Sequence, residues 1–269
     1  MAHGLSGIDW SAPWHAPWRP FGQAASAELA RGASVAAALN RVQPPACIQG
    51  RPRQFVPQSR LPDNRPYEAF IFETACIPTR DGLHDFFNGL VWLALPRAKA
   101  RLNALHTAHW HGAPAPSARG AARDGLTLLD ESGALFIGPD VLWDALCAKD
   151  WQCAMVSARA LWAQTRIILF GHSLPEKLVC PRKPITAHLY RVQGVGQILA
   201  ASGPSDEMEA IDAIARIDQA LAGQLDAAQL ARKPFAHLPL LGIPGWWPAN
   251  EDPAFYADTT VFRPPRAAT

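Results

Sequence analysis

Side chains that could do chemistry crowd into Thr79–Glu131, with a satellite at Gly171–Lys177. The first group is Arg80, His84, Asp85 and Asn88, in the run Pro78-Thr79-Arg80-Asp81-Gly82-Leu83-His84-Asp85-Phe86-Phe87-Asn88. His84 and Asn88 stand at i, i+4, and Asp85 and Asn88 at i, i+3, so a helix gathers all three at its N-terminal end. That end has unpaired backbone N–H groups and a positive dipole, which suit a carboxylate, a held water or a bound anion. The plainer alternative is that Asp81 or Asp85 caps the helix and His84 bonds nearby. Lys99, Asn103 and His106 follow at i, i+4 and i+7, a continuous helical stripe of the kind that is usually solvated. Arg123, Asp124, Asp130 and Glu131 form a third group, and His172, Glu176 and Lys177 a fourth. His172 and Glu176, at i, i+4, can face one another.

These residue types suit hydrolysis. His84 or His172 would act as general base, while Asp85, Asp124 or Glu176 orients it or holds a divalent metal, with Asn88 alongside. Arg80, Lys99, Asn103, His106, Arg123 and Lys177 are the candidates for holding substrate. The metal ligands stay open. His106, His109 and His111 invite a metal reading but do not share one helical face. A nuclease of the His-Asn finger kind is disfavoured because His84 opens a helix, where that motif uses the end of a hairpin strand. A non-catalytic binding or assembly protein, with the same polar clusters locking loops, is the alternative to an enzyme.

The elements that must position these groups follow from pattern. Trp10, Pro13, Trp14, Pro17, Trp18 and Pro20 imply an extended N-terminal arm (residues 1–23) stapled down by its indoles. Ala24–Asn40 reads as a helix, and Pro44–Pro66 as a surface loop whose arginines face solvent. Tyr67–Cys76 is a short buried element of either kind, and Pro78–Gly82 a turn. Leu83 to about Leu95 is helical, with Pro96 opening a second helix. His111–Arg123 reads as a loop. Two apolar runs around Asp130-Glu131-Ser132-Gly133 read as a β-hairpin. Pro139–Lys149 and Asp150–Gln164 look helical. Arg166–Phe170 and Ile185–Val192 look like strands, and Gly171-His172-Ser173 leads into a short helix. Asp206–Leu221 is the clearest amphipathic helix, and Asp206 with Glu209 resembles a capping box. From residue 234 to 269 a proline- and aromatic-rich arm lies on the domain, Trp246 and Trp247 covering core. The expected class is α+β: one helix-rich domain over residues 1–269, with a β-hairpin and a small mixed sheet.

Composition bounds the rest. An apolar fraction of 49% with 18% charged residues supports a sizeable core. A net charge of +2 is far from the basic excess of a phosphate-binding protein, so nothing global argues for nucleic acid, and the partner stays open, a small molecule among the possibilities. Cys47, Cys76, Cys147, Cys153 and Cys180 form no C-x-x-C pair, and buried reduced thiols are expected. The longest apolar run, Leu90–Leu95, is far too short to span a bilayer. The start MAHGLSGIDW has no basic region followed by an apolar stretch. A soluble, cytoplasmic protein is therefore expected.

Five blocks carry a resemblance: P-T-R-D-x-L-H-D-F-F-N-x-L-V-W, P-R-x-K-A-x-L-N-x-L-H, R-D-x-L-T-L-x-D-E-x-G, F-G-H-x-L-x-E-K-L and L-P-x-L-G-I-P-G-W-W-x-x-N. In this order, over roughly Trp10 to Arg266, the chain resembles the bacterial family known as domain of unknown function 3025. The resemblance implies one domain and brings no activity with it. His109 and His111 lie outside its blocks, which weakens the three-histidine reading further.

Overall fold

The computed structural model describes residues 5–42, 46–111, 116–195 and 207–265. At its centre is α4 (Leu83–Ala94), buried at every position from Asp85 to Ala94. A helix apolar on all sides must be wrapped by others. Around it pack α1 (Arg19–Ala30), α2 (Val35–Val42), α5 (Pro96–His111), α8 (Ser173–Leu178) and α9 (Glu207–Gln224). Pro96 sits in the first turn of α5, where its missing N–H costs nothing. The Asp218 carboxylate accepts the next two amides, Arg97 N at 3.0 Å and Ala98 N at 2.8 Å. A buried apolar cluster runs from Leu5 to Phe262.

The class is α+β, with small sheets. Strands β3 (Gln54–Pro57) and β4 (Cys76–Thr79) pair in parallel, with α3 (Tyr67–Thr74) between them in sequence. The larger sheet is mixed and ordered β6 (Arg166–Leu169), β5 (Gly133–Ile137), β7 (Thr186–Arg191), β8 (Ala236–Pro239). In it β5 runs parallel to β7 and antiparallel to β6, and β7 runs antiparallel to β8. Strand β5 (GALFI) is buried throughout, which explains its lack of alternation.

Several expectations are corrected. The hairpin around Asp130–Gly133 does not form: α6 (Pro116–Ser132) runs straight into β5. Ala122, Leu126 and Leu129 are all buried at helical spacing, and that period outweighs the turn chemistry of D-E-S-G. A hairpin does occur at β1 (Cys47–Ile48) and β2 (Arg51–Pro52), turning on Gln49 and Gly50, both at positive φ. Arg53, read as solvated, is buried, and its guanidinium donates to the Trp92 carbonyl. The N-terminal arm is helical rather than extended: Pro13–Trp18 is a 3-10 turn and α1 begins at Arg19, with Pro20 tolerated in its first turn. Trp14 and Trp18 are buried as expected. The helix foreseen over Ala24–Asn40 breaks between α1 and α2 near Gly32, at φ +90°. Helix α7 (Asp140–Ala148) gives way to π and 3-10 turns, and the C-terminal arm supplies β8. The loop foreseen over His111–Arg123 is largely helical, with His111 ending α5 and α6 starting at Pro116; residues 112–115 and the Asp206 cap lie outside the described residues.

The seam between α6 and the β6–α8 connection places the chemistry. A helix end leaves carbonyls without partners, and this one is closed from outside. His172 N donates to Asp130 O (3.2 Å), Ser173 Oγ to Glu131 O (2.6 Å) and Gly171 N to Gly133 O (2.7 Å). Gly171 is required by proximity: a Cβ there would lie 2.5 Å from the Glu131 carbonyl carbon and from the backbone N of Ser132 and Gly133. Those atoms are backbone and cannot swing away. Gly171→Ala should therefore destabilise the fold by about 1–3 kcal/mol in chemical denaturation. A wild-type midpoint in the variant would show that the seam is not tight.

Candidate functional site

His84 projects from the first turn of α4 towards α8. Its Nδ1 lies 2.8 Å from Glu176 Oε2, and its Nε2 lies 3.0 Å from His172 Nε2. A carboxylate on Nδ1 fixes that nitrogen as the N–H, which leaves Nε2 with its lone pair facing His172. Glu131, at the last turn of α6, brings Oε1 to 3.6 Å from His172 Nε2. One ligand atom each from His84, Glu131 and His172 lies within 4.8 Å of the others, so the three could hold a metal ion. Ligands about 2.1 Å from a common ion stand about 3.0–3.4 Å apart, so the two imidazoles need little movement to share one. Burial, opposed by Asp130 and helped by the charge of Lys99, pushes the His172 pKa down to about 4 and keeps its ring neutral. His172 Nδ1 is buried without a hydrogen-bond partner. The His84, Glu131 and Glu176 side chains are 37%, 44% and 35% exposed, so water reaches the centre.

Beside it lies a buried charged layer. Lys99 and Asn103, on one face of α5, are 4% and 2% exposed, so the stripe is interior rather than solvated. Lys99 Nζ bonds Asp130 Oδ1 and lies 5.4 Å from the Trp92 ring centroid and 5.9 Å from that of Phe170. Burial works against the Asp130 charge, but the Lys99 ammonium holds its carboxyl below the usual range. Asn103 Nδ2 donates to the Glu68 carboxylate and to Glu68 O. Burial, and then the charge of Asp130, raises Glu68 to about 7. The same two causes raise Glu131. Tyr67 OH accepts from Asn88 Nδ2 at 3.2 Å. Asp130 and Glu131 sit at a helix C-terminus, the end whose dipole disfavours anions. Helix formation alone gives no reason for two carboxylates there.

A cleft of about 1000 Å³ opens over this layer, lined by residues that include Arg65, Tyr67, Glu68, His106, Arg123, Asp130 and Glu131. Of the residues singled out as catalytic, His84, His172 and Glu176 meet. Asp85 is next to His84 but spent on its own turn: it accepts from Arg80 N at 2.6 Å and from the Arg80 guanidinium at 3.0 and 2.9 Å. Asp81 caps α2 through Val35 N. Asn88 points at Tyr67. Asp124 is 64% exposed and lies 3.7 Å from Lys233, away from the cluster. Of the substrate candidates, His106 and Arg123 line the cleft, Lys99 and Asn103 are buried behind it and bond its lining residues Asp130 and Glu68, and Lys177 reaches Ser173 Oγ at 3.4 Å. Arg80 is bound to Asp85. Glu68 is the functional candidate that pattern reading passed over, and Glu131 was singled out there without a role. The signal for Glu68 was a charged residue inside an apolar run; that for Glu131 was a second carboxylate a turn does not need.

Residues 53–266 match the family model described as protein of unknown function (DUF3025), and the chain belongs to that family. All five motif blocks fall inside the match, whereas Trp10–Pro52 lies outside it. No curated protein and no solved structure matches the chain. No helix among the described residues is long and apolar enough to cross a membrane.

The buried ion pair gives a direct test of the layer. Removing the ammonium strands Asp130 as an unpaired buried charge, so Lys99→Met should cost about 3–5 kcal/mol, and the double variant Lys99→Met/Asp130→Leu should recover most of it. Additive losses in a double-mutant cycle would show that the pair is not coupled.

Proposed function

We propose that the chain is a metal-assisted hydrolase in which His84, His172 and Glu131 hold one divalent transition-metal ion. The observation that carries this reading is the convergence of two imidazole Nε2 atoms and a carboxylate, with Glu176 behind His84. Three protein ligands and an open face are the arrangement of catalytic zinc sites, and a carboxylate on the far nitrogen is the usual support of a ligating histidine. A nitrogen-rich set suits zinc, manganese, iron or cobalt better than calcium or magnesium, which favour all-oxygen surroundings.

The same ligand set also serves oxygen chemistry on iron. Hydrolysis is preferred because Glu131 links the centre to an open cleft that carries several ionisable side chains, and water is the reactant. When bound, the ion would lower the pKa of a water and polarise the scissile bond. Glu176 would keep the His84 lone pair on Nε2, and Glu131 would bridge the centre and the cleft. Lys99 would neutralise Asp130, so that the pocket floor carries no stranded negative charge. Substrate would enter over Arg123 and His106.

Isothermal titration of chelator-stripped protein with Zn²⁺ tests the centre. One ion per chain is expected. Affinity should fall at least about 100-fold in His172→Ala and about 10–100-fold in Glu176→Gln. The loaded protein should then hydrolyse at least one of three chromogenic probes (a phosphodiester, a carboxylic ester, an anilide), and the stripped protein none. Binding that His172→Ala leaves intact refutes the centre. Tight binding with no turnover of any probe points instead to a structural ion in a non-catalytic protein.

A further inference from the structure

We infer that Glu68 is the proton-carrying group of the cleft, taking a proton from the attacking water and returning it to the leaving group. The inference rests on the hydrolase reading above and adds a catalytic residue to it. Glu68 opens α3 and lines the same cleft as Asp130 and Glu131, which come from α6. The α5 stripe meets the two walls unequally. Its ammonium, Lys99, bonds Asp130, while its neutral amide, Asn103, bonds Glu68.

A purely structural role does not account for this carboxylate. Glutamine at position 68 would still accept from Asn103 and would escape the repulsion of Asp130. Charge at Glu68 therefore costs stability, and costly polar groups concentrate where a protein acts. The charges that act on it are Asp130 from α6 and Lys99 from α5, with the Asn103 amide bonded to it and Tyr67 beside it, while Glu131, Arg123 and His106 line the same cleft. Burial and Asp130 raise Glu68 while Lys99 and Asn103 lower it, and the balance near 7 is where a general base must also serve as an acid.

The step balances without a redox partner. One O–H bond of water breaks as its proton passes to the Glu68 carboxylate. The water oxygen forms the new bond to the acyl carbon or phosphorus. The bond to the leaving atom breaks, and that atom takes the proton back from Glu68.

The test compares full-length, zinc-loaded wild type with Glu68→Gln and Glu68→Asp on whichever chromogenic probe the wild type hydrolyses. Glu68→Gln should keep zinc affinity within about threefold, lose at least about 100-fold in kcat, and lose the acidic limb of the pH profile; Glu68→Asp should restore part of both. Stability separates this from a structural role. The raised carboxyl is protonated and harmless below about pH 4.5 and is penalised as pH rises through about 7. Glu68→Gln should therefore gain stability over wild type at pH 8 and little at pH 5. A kcat within threefold of an active wild type overturns the inference alone, as does a variant less stable than wild type at pH 8. A wild type that binds no zinc, or hydrolyses no probe, overturns the hydrolase reading and this inference with it.

Discussion

Everything proposed for this protein depends on how the last turn of α6 is closed. The Asp130 and Glu131 carbonyls are taken up by the His172 N–H and the Ser173 hydroxyl, and that of Gly133, where β5 begins, by the Gly171 N–H. Glycine at 171 lets the two backbones touch. That seam turns His172 inward against Glu131, while Gly133 carries the chain directly into the central strand of the sheet. On the other side, the fully buried α4 presents His84 from its first turn to the same point. Two rigid elements and one tight junction thus bring together residues from three distant stretches of sequence.

The charged layer beneath sets the electrostatics. Its one buried ammonium, Lys99, faces both Asp130 and Glu68 but bonds only Asp130. Coulomb interactions are strong where water is excluded, so the second carboxyl retains its proton up to near neutrality. Partial burial and the charge of Asp130 raise Glu131, and burial keeps His172 neutral. A divalent ion would relieve this arrangement by adding positive charge where Glu131 and the two imidazoles already point. The layer and the centre are therefore better understood as one electrostatic unit than as two sites.

Much of this was legible in the sequence. The helix from Leu83, the proline that opens α5, the strands at Arg166 and Thr186, and the short helix after Gly171 all follow from period and turn chemistry. The sequence reading also named His84, His172 and Glu176, which the fold brings into contact. The segment Leu126–Ile137 was not legible in this way. Asp-Glu-Ser-Gly is turn-forming chemistry, and only burial of Ala122, Leu126 and Leu129 together reveals the helical period that overrides it. That one error left Glu131 without a role, because in a hairpin turn it points at solvent and at a helix end it points at His172. Lys99 and Asn103 were misplaced for a related reason: a polar stripe is ordinarily outside, and nothing local says that a partner carboxylate waits for it inside. Asp85 and Asp124 looked like ligands by type, yet one is consumed by Arg80 and the other lies on the surface. Long-range partners, not local pattern, decide such cases.

The most direct measurement is anomalous diffraction at the zinc edge from crystals of the full-length protein grown with Zn²⁺. A single strong peak within about 2.0–2.2 Å of His84 Nε2, His172 Nε2 and a Glu131 carboxylate oxygen is the predicted result. A peak held by other residues, or none between the two imidazoles at saturating zinc, would contradict the account.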